Sequence, residues 1–362
     1  MIFAIEEINN STELLPGIKL GYHIYDSCAS VPVAVHVAFQ ISNGLDPVFY
    51  TDDNCSQSGM VMAVVGESGS TPSISMLRIT GPFNIPQVSY FATCACLSNK
   101  QQYPNFFRTV PSDQFQADAL AKLVKHFGWT WIGAVRSDSD YGNNGMASFL
   151  DAARKEGICV EYSESFYRTH PRSRIQKVAD VIRRSTAMVV VAFAASGDMR
   201  LLLEELSLKP SPPRQWIGSE DWVTDTDMLR FSFCAGTIGF GIERSVIPGA
   251  ADERVCDGTE DIKTLQSPYT DTSQLRITNM VLSQLKKVNF SRNGYDVSFD
   301  ANGDPVASYE LVNWQKSESG SIKLVTVGHY DASLPVGQKF RINRNLTWVD
   351  SGTQVRSTKT II

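Results

Sequence analysis

The sequence predicts an α/β protein of two lobes, each a parallel sheet with helices on both faces. Three observations carry this. From Ser112 to Trp222, strand-like and helix-like segments alternate regularly, as βαβ units do. The longest apolar run, Ala187 to Ala195, is nine residues rich in valine, the composition of a parallel strand covered on both faces. A second α/β run covers Met1 to Val110, and after Gly241 the alternation decays into hairpin-like segments.

Taken in order, residues 2–10 (IFAIEEINN) read as an amphipathic helix with Ile2, Ile5 and Ile8 three apart. A strand KLGYHIYD (19–26), a helix around Val31 to Ile41, a strand VMAVVG (61–66), a helix after Pro72 and a strand IPQVSYFA (85–92) follow. The spacing of Phe115, Ala119, Leu123 and Phe127 predicts a helix over 113–127, with Ser112 capping its start and Gly128 its end. Strands at 129–135, 158–164, 187–195 and 214–220 then alternate with helices at 146–156, 174–184 and 198–206. Residues 297–314 read as a hairpin turning at Ala301-Asn302-Gly303-Asp304, with a further strand at 321–330.

At 362 residues the chain is long enough for two separately cored lobes. A net charge of −5 and a pI near 5.6 argue against nucleic acid, which needs a basic face. Nine apolar residues are too few for a membrane span, which takes about 20. The chain opens directly into its first helix, without the basic and apolar regions of a signal peptide. Glycosylation acceptors nonetheless point to a secretory route: Asn10 (overlapping Asn9), Asn54, Asn289 and Asn345. Seven cysteines form an odd set, and Cys94-x-Cys96 lacks the second pair that a zinc site requires. Cys28 and Cys55 lie in polar, loop-like stretches and read either as a surface disulfide or as two free buried thiols.

In an open parallel sheet the strand tips converge on one crevice, where ligands sit. Gly66 to Pro72 leads into a helix with Pro72 in its first turn; free amides there and the Ser70 hydroxyl suit an anion, although an ordinary cap explains them too. Thr93 supplies a second hydroxyl or is a turn residue. Asp113 is either a helix-start carboxylate favoured by the dipole or a counter-ion for an ammonium group. Tyr141 offers its ring to that ammonium or packs on its turn. Glu220 brings a second carboxylate from across the cleft or caps the next helix. Together these groups suit a small zwitterion. No catalytic motif is present, and His23, His36, His126, His170 and His329 are scattered. No cofactor is implied; Asp138 and Asp140 make only a weak Ca²⁺ candidate, since acidic residues in one turn are mostly just solvated.

Through MIFAIEEINNSTELLPGIKLGY, IPQVSYFATCACLSNK, FFRTVPSDQFQADALAKLVKHFGWTWIGAV, SDYGNNG, WIGSEDW, GTIGFGI and the tail from YELVNW to NLTW, nearly the whole chain resembles one family. It is similar to the extracellular ligand-binding region of class C G-protein-coupled receptors, nearest the fish olfactory, vomeronasal type-2-like branch. Calcium-sensing, taste and metabotropic glutamate receptors share the pattern less closely. The resemblance implies a bilobed fold of the periplasmic-binding-protein type I, a Venus flytrap, with an α-amino acid held between the lobes. It further implies that closure reorients a dimer paired through lobe 1 and drives a seven-helix domain and, through it, a G protein, the binding region itself lying on the extracellular side of the cell membrane. Ser70 and Thr93 fall where relatives hold the ligand carboxylate, Asp113 and Tyr141 where they engage the ammonium, and Glu220 at the acidic position of lobe 2. His23 stands where relatives often carry Arg or Lys.

The resemblance also sets domain bounds. Lobe 1 spans 1–111 and 242–295, lobe 2 spans 112–241 and 296–331, residues 332–350 return to lobe 1, and 351–362 form a disordered tail. Against the family pattern, the signal peptide, the first strand, a segment after Ile247-Pro248-Gly249, most of a helix near Leu275–Leu285, the cysteine-rich linker and the membrane domain are missing. Cys256 and Cys159 thereby lose their expected partners, and lobe 2 is expected to be better formed than lobe 1. The alternative reading, a soluble amino-acid-binding protein serving a transporter, is disfavoured by the glycosylation acceptors and the class C motifs.

Overall fold

The computed structural model describes residues 1–43, 61–243, 274–292, 295–335 and 337–349. Asn54, Cys55, Cys256, the junction after Gly249 and the tail 351–362 lie outside the described residues.

The first lobe comprises α1 (Ile2–Asn10), α2 (Val31–Asn43), β1 (Val64–Val65), α3 (Ser70–Thr80), β2 (Gln87–Ser89) and β3 (Phe106–Arg108). Its three strands pair in parallel in the order β1-β2-β3. Two small cores hold it together. Ala34, Val37, Ala38 and Ile41 of α2 meet Met76 and Ile85, while Ile74, Leu77, Ala92, Cys94, Leu97 and Phe106 form the second. The expected strand over 19–26 does not form. The Asn9 side chain takes both the amide and the carbonyl of Leu20, and Tyr22 and Ile24 are exposed, so that segment's alternation buries no face.

The second lobe continues with α4 (Asp113–His126), β4 (Trp131–Ser137), α5 (Asp140–Lys155), β5 (Cys159–Phe166), α6 (Arg172–Arg184), β6 (Val189–Phe193), α7 (Ser196–Ser207), β7 (Gln215–Gly218), α8 (Glu220–Val223) and β8 (Ile238–Gly241). After α9 (Gln274–Leu285), β9 (Asn289–Arg292) and β10 (Tyr295–Ser298), the chain returns through β11 (Ser308–Lys316), β12 (Ile322–Asp331) and β13 (Phe340–Ile342). Eight strands make one sheet in the order β13-β12-β11-β8-β7-β6-β4-β5, parallel from β8 to β5 and antiparallel from β8 to β13. Successive residues of β6 explain its valine run. Val189, Val191 and Phe193 enter a core with Leu120 and Phe149 of α4 and α5, and Val190 and Ala192 enter another with Val178 and Leu202 of α6 and α7. Helices therefore cover both faces, as the composition predicts.

Two expectations need correcting. Residues 297–314 are not a hairpin, because β10 pairs with β9 and β11 with β8 and β12. The turn instead belongs to a crossing between lobes: the Asp300 carboxylate accepts from the amides of Asn302 and Asp304, and Gly303, at φ 69°, offers its carbonyl to the Arg108 amide at 3.1 Å. Residues 332–349 do not return to lobe 1. β13 pairs with β12, and the Trp348 ring lies 4.9 Å from Phe127 and 5.9 Å from Trp129. Aromatic burial against α4 holds the segment on the larger sheet.

Candidate functional site

Five of the six residues singled out for the ligand follow the C-terminal ends of parallel strands: Ser70 after β1, Thr93 after β2, Asp113 after β3, Tyr141 after β4 and Glu220 after β7. Local chemistry fixes each. Ser70 opens α3, and its hydroxyl accepts from the Cys94 amide at 3.1 Å, tying the β1 tip to the β2 tip. Thr93 is buried, and its carbonyl accepts from the Asp113 amide at 2.8 Å, tying the β2 tip to α4. Ser112 caps α4 by accepting from the Gln114 amide. Tyr141 lies in the first turn of α5, which sits tight on β4 because residue 142 is glycine. A Cβ there would lie 2.1 Å from the Ser137 carbonyl oxygen. Glu220 opens α8; its amide donates to Gln116 Oε1 at 2.9 Å and its carboxylate accepts from Thr224 Oγ1 at 3.3 Å.

Asp113 is fully buried, and neither carboxylate oxygen has a hydrogen-bond partner of good geometry. Burial pushes its carboxyl up to about 7. The Thr93 hydroxyl and the Arg108 guanidinium pull it partly back, and the Glu220 and Asp221 carboxylates push it further up. The Tyr141 hydroxyl is likewise buried without a partner, and burial followed by the nearby Asp113 charge drives its ionisation well upward. Its ring stands 5.0 Å from that of Phe193. A buried carboxylate facing a phenol, with further carboxylates behind, is an arrangement that a cation satisfies. His23 is exposed, in the coil between α1 and α2, unlike the other five.

The lobes touch directly at the rim: the Asp140 amide donates to Thr71 Oγ1 at 3.2 Å, and an Arg168 Nη2 donates to the Ala29 carbonyl at 3.3 Å. Behind the site, Arg108 is wholly buried. It pairs with Asp304 at 2.6 Å, donates to the carbonyls of Ala92 and Cys94, and bonds the Ser98 hydroxyl. Sequence reasoning missed this arginine, although a lone cation inside the apolar FFRTV was a legible signal. It also missed Asp221, whose buried carboxyl is pushed up to about 6 chiefly by burial while accepting from the Ser196 amide at 3.3 Å.

Cys28 is exposed, and Cys55, with which it is expected to pair, lies outside the described residues. Cys28 sits in a tight turn, with φ of 51° and 52° at Cys28 and Ala29, closed by the Asp26 carboxylate accepting from the Cys28 amide. Cys94 and Cys96 are joined to each other. Asn10, Asn289 and Asn345 are exposed. Among the described residues no three His, Cys, Asp or Glu side chains converge as a metal site, and Asp138 instead accepts from Asn143. No helix among them is long and apolar enough to cross a membrane. A groove beside α1, lined by Phe3, Glu6, Glu7, Asn10, Ser11 and Leu14, contains no unpartnered buried polar atom and lacks the chemistry of the strand tips.

The profile of the receptor family ligand binding region matches residues 1–283. The chain belongs to this receptor family. The extracellular calcium-sensing receptor of Mus musculus is 31% identical over 451 aligned residues, covering 95% of this chain and 42% of that receptor. G-protein coupled receptor family C group 6 member A of Carassius auratus is 30% identical over 388, covering 88% and 43%. Taste receptor type 1 member 1 of Mus musculus is 27% identical over 380, covering 87% and 45%. The receptor family's ligand-binding region here is thus of the class C type, and the chain spans less than half the length of these relatives. The 451-residue alignment is longer than the 362-residue chain, so the calcium-sensing receptor carries segments with no counterpart here.

Proposed function

We propose that this chain is the amino-acid-sensing module of a chemosensory class C receptor, holding a free α-amino acid between its lobes. One observation carries the reading: the buried Asp113 carboxylate and Tyr141 hydroxyl have no hydrogen-bond partner of good geometry, and the buried Ser70 and Thr93 stand at neighbouring strand tips. The ammonium goes to Asp113 and Tyr141, the carboxylate to Ser70, Thr93 and the start of α3, and Glu220 adds charge from the second lobe. His23 is proposed to meet the ligand side chain. The chain binds and does not turn over its ligand. Closure must favour the liganded form by differential affinity alone. In the whole receptor that closure reorients a dimer paired through lobe 1 and drives a seven-helix domain and its G protein, with glycans on the extracellular side.

Isothermal titration with a panel of the common amino acids tests this. Saturable binding lost in Asp113→Asn supports the reading; a folded protein that binds none of them overturns it.

A further inference from the structure

The Cys94–Cys96 bond lies within the loop that follows β2, between Thr93 and the fully buried Leu97. A link between residues two apart closes almost no chain, so it contributes little of the loop-closure stabilisation that long-range disulfides bring. Its surroundings suggest another role. The Cys94 amide donates to the Ser70 hydroxyl, and the Cys94 carbonyl accepts from Arg108 Nη1 at 2.9 Å and from the Leu97 amide at 3.1 Å. Thr93, one residue earlier, accepts from the Asp113 amide. Cys94 Sγ also lies 3.7 Å from the Asp140 carbonyl oxygen, on the opposite lip. The bond therefore fixes one short loop that touches four of the groups meeting at the cleft: Ser70, Thr93, Asp113 and Asp140. Cys94 is buried against Ile74 and Leu77 of α3, whereas Cys96 is only half-buried and open to attack from solvent.

We propose that the Cys94–Cys96 pair is a thiol–disulfide switch whose oxidised form holds the ligand-carboxylate loop in its binding shape. This rests on the ligand reading above for its effect on affinity, but not for its effect on the loop. An external dithiol supplies the electrons. Its thiolate attacks Cys96 Sγ, the Sγ–Sγ bond breaks and Cys94 leaves as a thiolate. The dithiol's second thiolate then attacks the mixed disulfide and releases Cys96, and both cysteines take up protons while the dithiol becomes a disulfide. Freed of the link, residues 93–97 gain backbone freedom. The Cys94 amide no longer stays on Ser70, and the two hydroxyls that meet the carboxylate lose their register.

The test uses the chain as it stands, with dithiothreitol as the dithiol. Peptide mapping after alkylation should find the 94–96 link intact until reduction. Amide exchange should then rise across 93–97, and affinity for the bound amino acid should fall by about tenfold, the scale of one charge-assisted hydrogen bond. Oxidation should restore both. Cys96→Ser should mimic the reduced state and abolish the response to dithiothreitol, which separates this pair from Cys28 and Cys159. Should that variant fold poorly, Cys94→Ser/Cys96→Ser serves in its place. Free thiols at 94 and 96 in the untreated protein, or unchanged exchange and affinity on reduction, would overturn the proposal. A rise in exchange in a protein that binds no amino acid supports the switch while overturning the ligand reading.

Discussion

Replacing Asp113 by asparagine keeps its shape and removes its charge, so the substitution isolates the cost of ionising a buried, unpartnered carboxylate. Burial raises that carboxyl from 3.8 to about 7. At ~1.4 kcal/mol per unit, a displacement of roughly three units corresponds to about 4 kcal/mol. The sign follows from proton binding. Between about pH 4 and pH 7 the unfolded carboxyl is ionised while the folded one still holds its proton, so stability falls as pH rises across that window. Above about pH 7 the full cost is present; below about pH 4 it vanishes. Asp113→Asn should therefore be more stable than the parent at pH 8, by up to about 4 kcal/mol, and the gain should shrink to nothing near pH 4. Urea unfolding at a series of pH values reads this directly. Protonation of the same carboxyl should weaken amino-acid binding by the parent below pH 7, by up to about tenfold per unit, because the protonated carboxyl cannot pair with an ammonium. A variant as destabilised at pH 8 as at pH 4 would refute the reasoning, for it would mean the charge is already compensated inside the fold.

Other substitutions probe how the site is held. Gly142→Ala puts a methyl group 2.1 Å from the Ser137 carbonyl oxygen and should destabilise the second lobe by about 1–3 kcal/mol, with Tyr141 displaced and binding weakened beyond the stability loss, as titration of the folded fraction would show. Arg108→Met strands the buried Asp304 charge and should cost about 3–5 kcal/mol in urea unfolding, most of it recovered in Arg108→Met/Asp304→Leu. In protein from a secretory host, mass spectrometry should find glycan at Asn10 rather than Asn9, whose side-chain amide already bonds Leu20. Hydrogen exchange should show stronger protection in β4, β6 and β7 than in β1 to β3, since the larger sheet is cored on both faces; equal protection would contradict that.

Much of the second lobe was legible because its signals are local. The period of α4, the Ser112 cap and the valine run of β6 each need only a few neighbouring residues to be read, and each forms where the pattern puts it. The first lobe was harder. Lys19–Asp26 has the alternation of a strand, but a strand also needs a neighbour, and a side chain eleven residues before Leu20 claimed its backbone first. The 301–304 turn has hairpin chemistry, yet which strands it joins is decided by pairing far along the chain. The candidate site residues were read by position, as polar groups after strand tips, while their supports were not. Nothing local shows that Arg108 would meet a residue 196 positions later.

That distant partner bears on how the cleft works. Replacing a buried ion pair with apolar groups is often neutral or stabilising, so stability alone is a weak reason for Arg108 and Asp304 to face each other with almost no exposure. A guanidinium differs from an apolar side chain in carrying five donors in a rigid fork. Here the fork spans two parts of the chain: it grips the carbonyls of Ala92 and Cys94 on either side of Thr93, and the carboxylate of Asp304 in the crossing between lobes. Ser98 closes the circuit by donating to that same carboxylate at 2.6 Å. Any rotation about the crossing must then carry the Thr93 loop with it or break charge-assisted bonds. The pair thus links the angle between the lobes to the place where a ligand carboxylate would be held, which an apolar contact of equal size would leave free to slide.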